Sequence, residues 1–280
     1  MRIIPAPKIT EVVAGLCIKA NLVLRSGMLS LLEAAHSRES NKKAKAALAM
    51  IIKNASIAKK EKLAICQDTG MAIVFVEAGG GVRIEGDLKK AINKGVEKGY
   101  KKGYLRASIA ADALWRGKPG YAPAVIHTDI VKGDKLKITV LVKGFGCENK
   151  SRLMMFNPTA KLEEIKKFIV EAVRTAGADA CPPYVVGIGI GGTADYACLL
   201  AKKALLKKLN TQYPILNTKL SQLEHDLLRE INKLNIGPMG LGGRATALAV
   251  NILNFPTHIA GLPVAVSLNC HALRSAAAVI

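Results

Sequence analysis

Residues 181–209, CPPYVVGIGIGGTADYACLLAKKALLKKL, carry the reading of the fold. Tyr184 to Ile190 is a short apolar run of the kind that forms a buried strand. Glycines at 187, 189, 191 and 192 then lead straight into an alanine- and leucine-rich stretch with lysines on its polar side, the pattern of a helix. A strand delivered through glycines into a helix is the building unit of an α/β fold. The same run matches G-x-G-x-x-G, but a dinucleotide fold also needs an acidic residue about 20 positions on to bind the ribose. No Asp or Glu stands between Tyr196 and Leu223. Two readings remain: backbone N–H groups at a helix N-terminus suited to a carboxylate or phosphate, or glycines that let the strand pack closely on the helix.

The alternation continues on both sides of this unit. The first 60 residues read as helical, with Val12, Val13, Leu16, Leu48, Ile51 and Ile52 at helical spacing and Lys42 to Lys45 facing out. AIVFVEAG (72–79) reads as a buried strand, and Asp87 as the cap of a lysine-rich helix that ends near Gly103. PAVIH (123–127) suggests another strand. KLKITVLVKG (135–144) sets Leu136, Ile138, Val140 and Val142 against polar or exposed neighbours, a half-buried strand running into a glycine turn. Thr159 is the expected cap of the helix AKLEEIKKFIVEAVRTAG (160–177), with Gly177 as its left-handed stop. A further helix over about 218–234 precedes the turn-rich NIGPMGLGGRAT (235–246), and the strand-like PVAVSLNC (263–270) closes the chain. There is no internal repeat and no low-complexity linker. The expectation is one mixed α/β domain over 1–280, with a helix-rich N-terminal region to about residue 62 followed by short strands alternating with helices.

The chain has 280 residues, half of them apolar and 22% charged, which suits a globular protein with a sizeable core. No apolar run approaches the roughly 18 residues of a bilayer span. The opening MRIIPAPKITEVV has no long apolar stretch before a small-residue cleavage site, so no secretory leader and a cytoplasmic location are expected. A net charge of +20 invites a nucleic-acid reading, but the lysines fall on predicted helix faces and only 4% of residues are aromatic. Solvated helix faces, a docking surface for an acidic partner, or attraction of a small dianion account better for the charge, and no specific nucleic acid is expected. The six cysteines form no Cys-x-x-Cys pair and read as reduced thiols, either metal ligands or buried small hydrophobes. A Gly-Lys-Ser/Thr phosphate loop, a Gly-x-Ser-x-Gly elbow and zinc-type histidine spacing are all missing from the sequence.

Three segments beside predicted strands concentrate reactive groups: CQDTG (66–70), KGFGCENKS (143–151) and CPP (181–183). Chemistry alone says only that three or four cysteines sit next to turns and could converge. Together with CPPYVVGIGIGGTADYA, NIGPMGLGGRATALAV and THIAGLPVAVSLNCHALR, however, these motifs resemble the N-terminal domain of class I fumarases. In two-subunit members that domain is a separate α chain, as it is in L(+)-tartrate dehydratase. The resemblance runs from about residue 10 to the end.

That resemblance implies an oxygen-sensitive [4Fe–4S] cluster held by three cysteines, matching Cys66, Cys181 and Cys270, with one iron open to substrate. An open iron acts as a Lewis acid on the substrate's hydroxyl and carboxylate. The resemblance also places Gln67, Asp68, Arg106, the Gly144 to Gly146 turn and His258 around the substrate. Arg106 would then hold a carboxylate of a C4 diacid. Asp68 would act as acid or proton shuttle, a role that requires burial beside the cluster. His258 would orient a carboxylate or hydrogen-bond Asp68. Without the resemblance, Arg106 reads as a surface arginine and His258 as structural. Cys147 stands where the family more usually has serine, and is expected to hydrogen-bond substrate or cluster sulfur rather than to ligate. Cys17 and Cys198 fall on predicted helices and read as core residues.

The family's C-terminal domain, which supplies further cationic groups and a threonine base, has no counterpart after Ile280. The resemblance therefore implies a separate β subunit and an α2β2 assembly acting on a small dicarboxylate. Reversible hydration of fumarate to L-malate is the first expectation, and dehydration of L-tartrate to oxaloacetate the second. A non-catalytic iron–sulfur or assembly subunit is the alternative from another class, and the presence of Asp68 and Arg106 weighs against it.

Overall fold

A computed structural model describes residues 1–209 and 218–280. The first elements are β1 (Arg2–Pro5), α1 (Ala6–Leu22), α2 (Met28–Arg38), α3 (Lys42–Glu61), β2 (Met71–Gly79), β3 (Val82–Glu85) and α4 (Leu88–Lys102). Next come β4 (Val125–Val131), β5 (Leu136–Lys143), α5 (Phe145–Glu148), β6 (Arg152–Phe156), α6 (Leu162–Ala176), β7 (Tyr184–Gly192) and α7 (Ala194–Ala204). The last are α8 (Lys219–Asn232), β8 (Ala247–Thr257), β9 (Leu262–Asn269) and β10 (Arg274–Val279). The class is mixed α/β, as the sequence implies, and the first 60 residues are helical apart from β1. Among the described residues no helix is long and apolar enough to cross a membrane.

The chain forms two compact units. One comprises Met1–Arg25, Ala55–Phe145 and Arg274–Ile280, and the other Ser26–Asn54 and Gly146–Leu273. In the first, a four-stranded sheet runs in the order β10-β5-β2-β4, with β5 antiparallel to both β10 and β2, and β4 parallel to β2. Its core joins Val74, Val76, Ile138 and Val140 of the sheet to Ile9, Val13 and Leu16 of α1 and to Ile92 and Val96 of α4. The two helices approach closely because α4 offers glycines at the contact. A Cβ on Gly95 would lie 2.7 Å from the Thr10 carbonyl oxygen, and one on Gly99 2.6 Å from that of Ala14. Asp87 caps α4 as expected, its Oδ1 accepting from the Lys90 N–H at 2.8 Å. The strand β5 is more buried than its alternation suggests, since Leu141 is sealed along with Val140 and Val142.

In the second unit the sheet order is β6-β9-β7-β8, with β7 parallel to β8 and antiparallel to β9. Helices α6 and α8 contribute Ile165, Ile169, Leu227 and Ile231 to a core built on Val186, Ile188 and Val266. Helix α7 packs on β7 through the glycine run. A Cβ on Gly187 would stand 2.2 Å from the Ala201 carbonyl oxygen, and one on Gly189 2.0 Å from that of Ala197. The packing reading of these glycines therefore explains them. The anion reading loses ground for a second reason: the Asp195 carboxylate occupies the first turn of α7, accepting from the Thr193 hydroxyl at 2.5 Å, which holds its pKa below the usual carboxylate range.

Several local expectations are corrected. Thr159 does not cap α6. Its hydroxyl turns onto Asn157 Oδ1 at 3.0 Å, while the helix starts after Lys161, whose backbone N–H donates to Glu164 Oε1 at 3.0 Å. Gly177 does end α6 at a positive φ of 55°, but its ψ of −132° is not that of the left-handed helix. The turn after β5 is one turn of helix, α5. PVAVSLNC does not close the chain, because β10 follows it and pairs with β5. The alanine-rich β10 and the polar-interrupted β8 both lack the β-branched alternation that marks strands.

Candidate active-site loops of the two units

In the first unit the loop Cys66–Gly70 is fixed from three sides. Asp68 Oδ1 accepts from the Gly70 N–H at 2.9 Å and Oδ2 from the Phe145 N–H at 2.8 Å. Both carboxylate oxygens are therefore anchored by backbone amides, which orients the group. Thr69, 2% exposed, uses its hydroxyl both to accept from the Arg106 N–H at 3.0 Å and to donate to the Arg106 carbonyl at 3.2 Å. That clamp ties Arg106, whose own position is exposed, to the residue following Asp68. The Tyr100 hydroxyl is shared between the carbonyls of Thr69 and Gly70 at 2.8 and 3.1 Å. Arg274, 2% exposed, donates from Nη1 to the Asp68 carbonyl at 2.6 Å and to Asn21 Oδ1 at 3.2 Å. Gly144 lies against this group: a Cβ there would sit 3.0 Å from Asp68 Oδ2 and 3.2 Å from Arg274 Nη2. Cys66, Gln67, Asp68, Arg106 and Gly144 are thus held within one unit.

In the second unit the antiparallel register Val185↔Asn269 brings the start of β7 beside the end of β9, and so Cys181 and Cys270 to the same end of the sheet. The ring of His271 confirms the proximity, with Nδ1 3.1 Å from the Cys181 carbonyl oxygen, a contact that requires the proton on Nδ1. Cys147 joins them through its thiol, which donates to the Ala180 carbonyl at 3.3 Å. The Tyr184 hydroxyl lies among these groups. Burial first, then the Cys147, Cys181 and Cys270 thiols, push it well above the ordinary tyrosine range. Gly146 precedes Cys147 on α5.

His258 is elsewhere. It follows the end of β8, where Thr257 pairs with Gly192 at the far end of β7, and lines an open cavity of about 430 Å³ with Thr193, Tyr196 and Phe255. The eight residues of β9 separate this end from Cys270, which at ~3.3 Å per residue is roughly 26 Å. His258 Nδ1 accepts from the Ala260 N–H at 3.1 Å, leaving Nε2 as its donor edge. Within one chain the fold does not bring His258 to Cys181 and Cys270.

Residues 10–279 match the fumarate hydratase (fumerase) family. The chain belongs to that family. Its members are hydro-lyases, and this chain is a hydro-lyase chain. Among similar proteins is a putative L(+)-tartrate dehydratase subunit alpha of Methanocaldococcus jannaschii, 38% identical over 276 residues and covering 96% of each chain. The L(+)-tartrate dehydratase subunits alpha of Escherichia coli strains UTI89 and K12 are 31% and 29% identical over 271 residues, covering 95% of this chain and 89% of theirs.

The thiols of this fumarase-family chain differ in their fitness to hold an iron–sulfur group, since a ligating thiol must ionise. Cys17 is sealed among apolar side chains, and burial pushes its pKa up to about 12. Cys66, Cys181 and Cys270 are half-buried in loops. Cys181 moreover holds a φ of +57°, a state that costs a residue with a Cβ about 1–3 kcal/mol. Cys147 is buried and donates its proton to a carbonyl, the behaviour of a thiol rather than a thiolate. Cys198 lies on α7, and burial raises its pKa too. By exposure and position in loops, Cys66 in the first unit and Cys181 and Cys270 in the second are each chemically suited to ligate such a group. Among the described residues no three or more His, Cys, Asp or Glu gather as a metal-binding group.

Sequence reasoning missed Thr69, Tyr100, Arg274 and His271. Thr69, His271 and Arg274 lay inside the quoted motifs, and their only signal was a polar residue beside predicted strands.

Proposed function

We propose that this chain is the α subunit of an iron–sulfur hydro-lyase that removes or adds water at a C4 dicarboxylate. The observation that carries the reading is the anchoring of Asp68 and Arg106 on one buried scaffold of Thr69, Tyr100 and Arg274. Family membership supports the reaction class. Cys66, Cys181 and Cys270 are the ligands of a [4Fe–4S] cluster, and Cys147 is not. When bound, that group supplies a Lewis acid toward the substrate's hydroxyl and carboxylate.

The remaining chemistry belongs to this chain's residues. Arg106, held through its backbone with its side chain at an exposed position, is a bidentate partner for one substrate carboxylate. Gln67, adjacent to Asp68 in the same loop, supplies a further amide for substrate. Gly144 keeps the approach to Asp68 free of side-chain atoms, and Gly146, on the following turn, is a further substrate-binding position. Asp68, with both oxygens oriented, exchanges a proton with the departing or arriving water. In the dehydration direction one C–H and one C–O bond break, and the hydroxyl leaves as water.

L-Tartrate is the substrate favoured by the names of the M. jannaschii and E. coli relatives, giving oxaloacetate after tautomerisation of the enol product. Reversible hydration of fumarate to L-malate is the second reading, favoured by the family match. Those relatives are named alpha subunits, which supports a β subunit as partner; the assembly we propose for the pair is α2β2.

The test is anaerobic co-expression with the β-type chain of the same genome, followed by iron and sulfide quantitation and assays with L-tartrate, L-malate and fumarate. Expected are about four irons per chain, retained in Cys147→Ser and lost in Cys66→Ser, Cys181→Ser and Cys270→Ser, with turnover only in the complex. Turnover of none of the three substrates by an iron-loaded complex overturns the reading.

A further inference from the structure

The first unit displays an ordered apolar tip that its own fold does not use. Leu114 is 78% exposed and Trp115, the only tryptophan in the chain, 81%. The tip is not a loose loop. Asp112 Oδ1 accepts from the N–H groups of Leu114 and Trp115, each at 2.7 Å, and this pair of bonds holds its pKa below the carboxylate range. Asp112 and Arg116 exchange both backbone hydrogen bonds at 3.1 Å, and Ile109 and Gly120 close the base at 3.0 and 2.7 Å. Ile109 is buried. The base is thus packed and the tip presented in one conformation, so little freedom remains to be lost when something covers it.

The surroundings identify what would cover it. Arg116 and Lys118 flank the tryptophan, and Arg106 lies just before the base; none of the three forms an ion pair with a described residue. Tryptophan and arginine side by side are the residues enriched at interface hot spots, and Lys118 adds a second positive charge at the rim. It calls for an apolar pocket with an acidic rim. A second copy of this chain fits poorly, because a two-fold contact centred on this turn would bring the Arg116 and Lys118 charges of both copies together, on chains of net charge +20.

We propose that the turn from Asp112 to Arg116 is the docking hot spot for the β subunit, with Trp115 seated in an acid-rimmed apolar pocket on that chain. This rests on the α-subunit reading above, and it places the partner beside the stretch that begins with Arg106.

The single tryptophan gives a direct readout. Chain labelled with 5-fluorotryptophan has one fluorine resonance, which can be followed while unlabelled β-type chain of the same genome is added. The resonance is expected to shift and to lose its H2O/D2O solvent isotope effect. Trp115→Ala is expected to raise the Kd for the β-type chain about thirtyfold or more. Arg116→Glu with Lys118→Glu, which leaves the apolar tip intact, is expected to slow association and flatten its salt dependence. Circular dichroism of each variant checks that it is folded. A complex that forms with unchanged Kd in both variants overturns the proposal. So does a fluorine resonance that stays solvent-exposed in the complex, or the absence of any complex at micromolar concentrations. A dimer of this chain alone that Trp115→Ala dissociates, seen by sedimentation, overturns it in favour of a second copy. Iron content and turnover of the co-expressed preparation judge the hydro-lyase reading separately, so the two fail independently.

Discussion

Arg274 Nη1 lies 2.6 Å from the backbone carbonyl oxygen of Asp68, although 206 residues separate them in sequence. The arginine is buried and its second contact, Asn21 Oδ1, comes from the end of α1. One guanidinium therefore joins α1, the Cys66–Gly70 loop and the first residue of β10. Its Nε has no hydrogen-bond partner among the described residues, so the site tolerates one orphaned donor for the sake of the two bonds made.

Removing that link is expected to loosen the Asp68 loop. Arg274→Gln should lower unfolding stability by about 2–3 kcal/mol, the range for hydrogen bonds from a charged group. Urea unfolding of the purified chain measures it. Arg274→Lys, which keeps the charge but can satisfy only part of the fork, should fall between the two. Equal stability of all three chains would contradict the role.

Thr69→Val is nearly isosteric and removes both hydrogen bonds to the Arg106 backbone. A loss of about 1–2 kcal/mol is expected in stability. In the assembled enzyme KM for the dicarboxylate should rise about tenfold with kcat little changed, since positioning of a binding residue acts on substrate affinity. Thr69→Ser should restore both values, because it returns the hydroxyl.

Gly189→Ala tests the packing of α7 on β7. The new methyl would stand 2.0 Å from the Ala197 carbonyl oxygen, so helix and strand must separate. A fall of about 1–3 kcal/mol or more in stability is expected. Gly15→Ala is the control: it lies within α1 with nothing within 4 Å of the added methyl, and should stabilise by about 0.5–1 kcal/mol. Differential scanning calorimetry on the two variants should show melting temperatures moving in opposite directions.

Cys17 should contribute a pH dependence. Burial raises the pKa of its thiol from the ordinary 9.0 to about 12, so the folded chain keeps a proton that the unfolded chain releases above pH 9. The stabilisation is complete below pH 9 and is lost as pH rises from there toward 12. Urea midpoints at pH 8 and pH 10.5 should fall more in the native chain than in Cys17→Ala. Iodoacetamide at pH 8 should alkylate the half-buried Cys66, Cys181 and Cys270 well before Cys17.

Local signals recovered much of this molecule. The strand at 72–79 and the cap at Asp87 follow from residues next to each other in the chain, where periodicity and capping act over a few positions. The helix cap at Thr159 failed for a related reason: threonine, asparagine and lysine all stand at the start of α6, and a few ångströms of chain path decide which one the helix uses. Strand β10 was invisible because its alanines are held by the β5 ladder and not by any propensity of their own.

By itself the sequence determined the mixed α/β class, the family, and the reactive motifs Cys66–Gly70, Lys143–Ser151 and Cys181–Pro183, because each is written in contiguous residues. Only the tertiary structure decided that the glycines of β7 serve the packing of a helix rather than an anion, and that Thr69 and Arg274 anchor Arg106 and Asp68. It also decided that His258 stands a strand's length from Cys270. These facts depend on strand register and on close approaches between residues tens to hundreds of positions apart. Such distances are set by packing of the whole core, which no local pattern encodes.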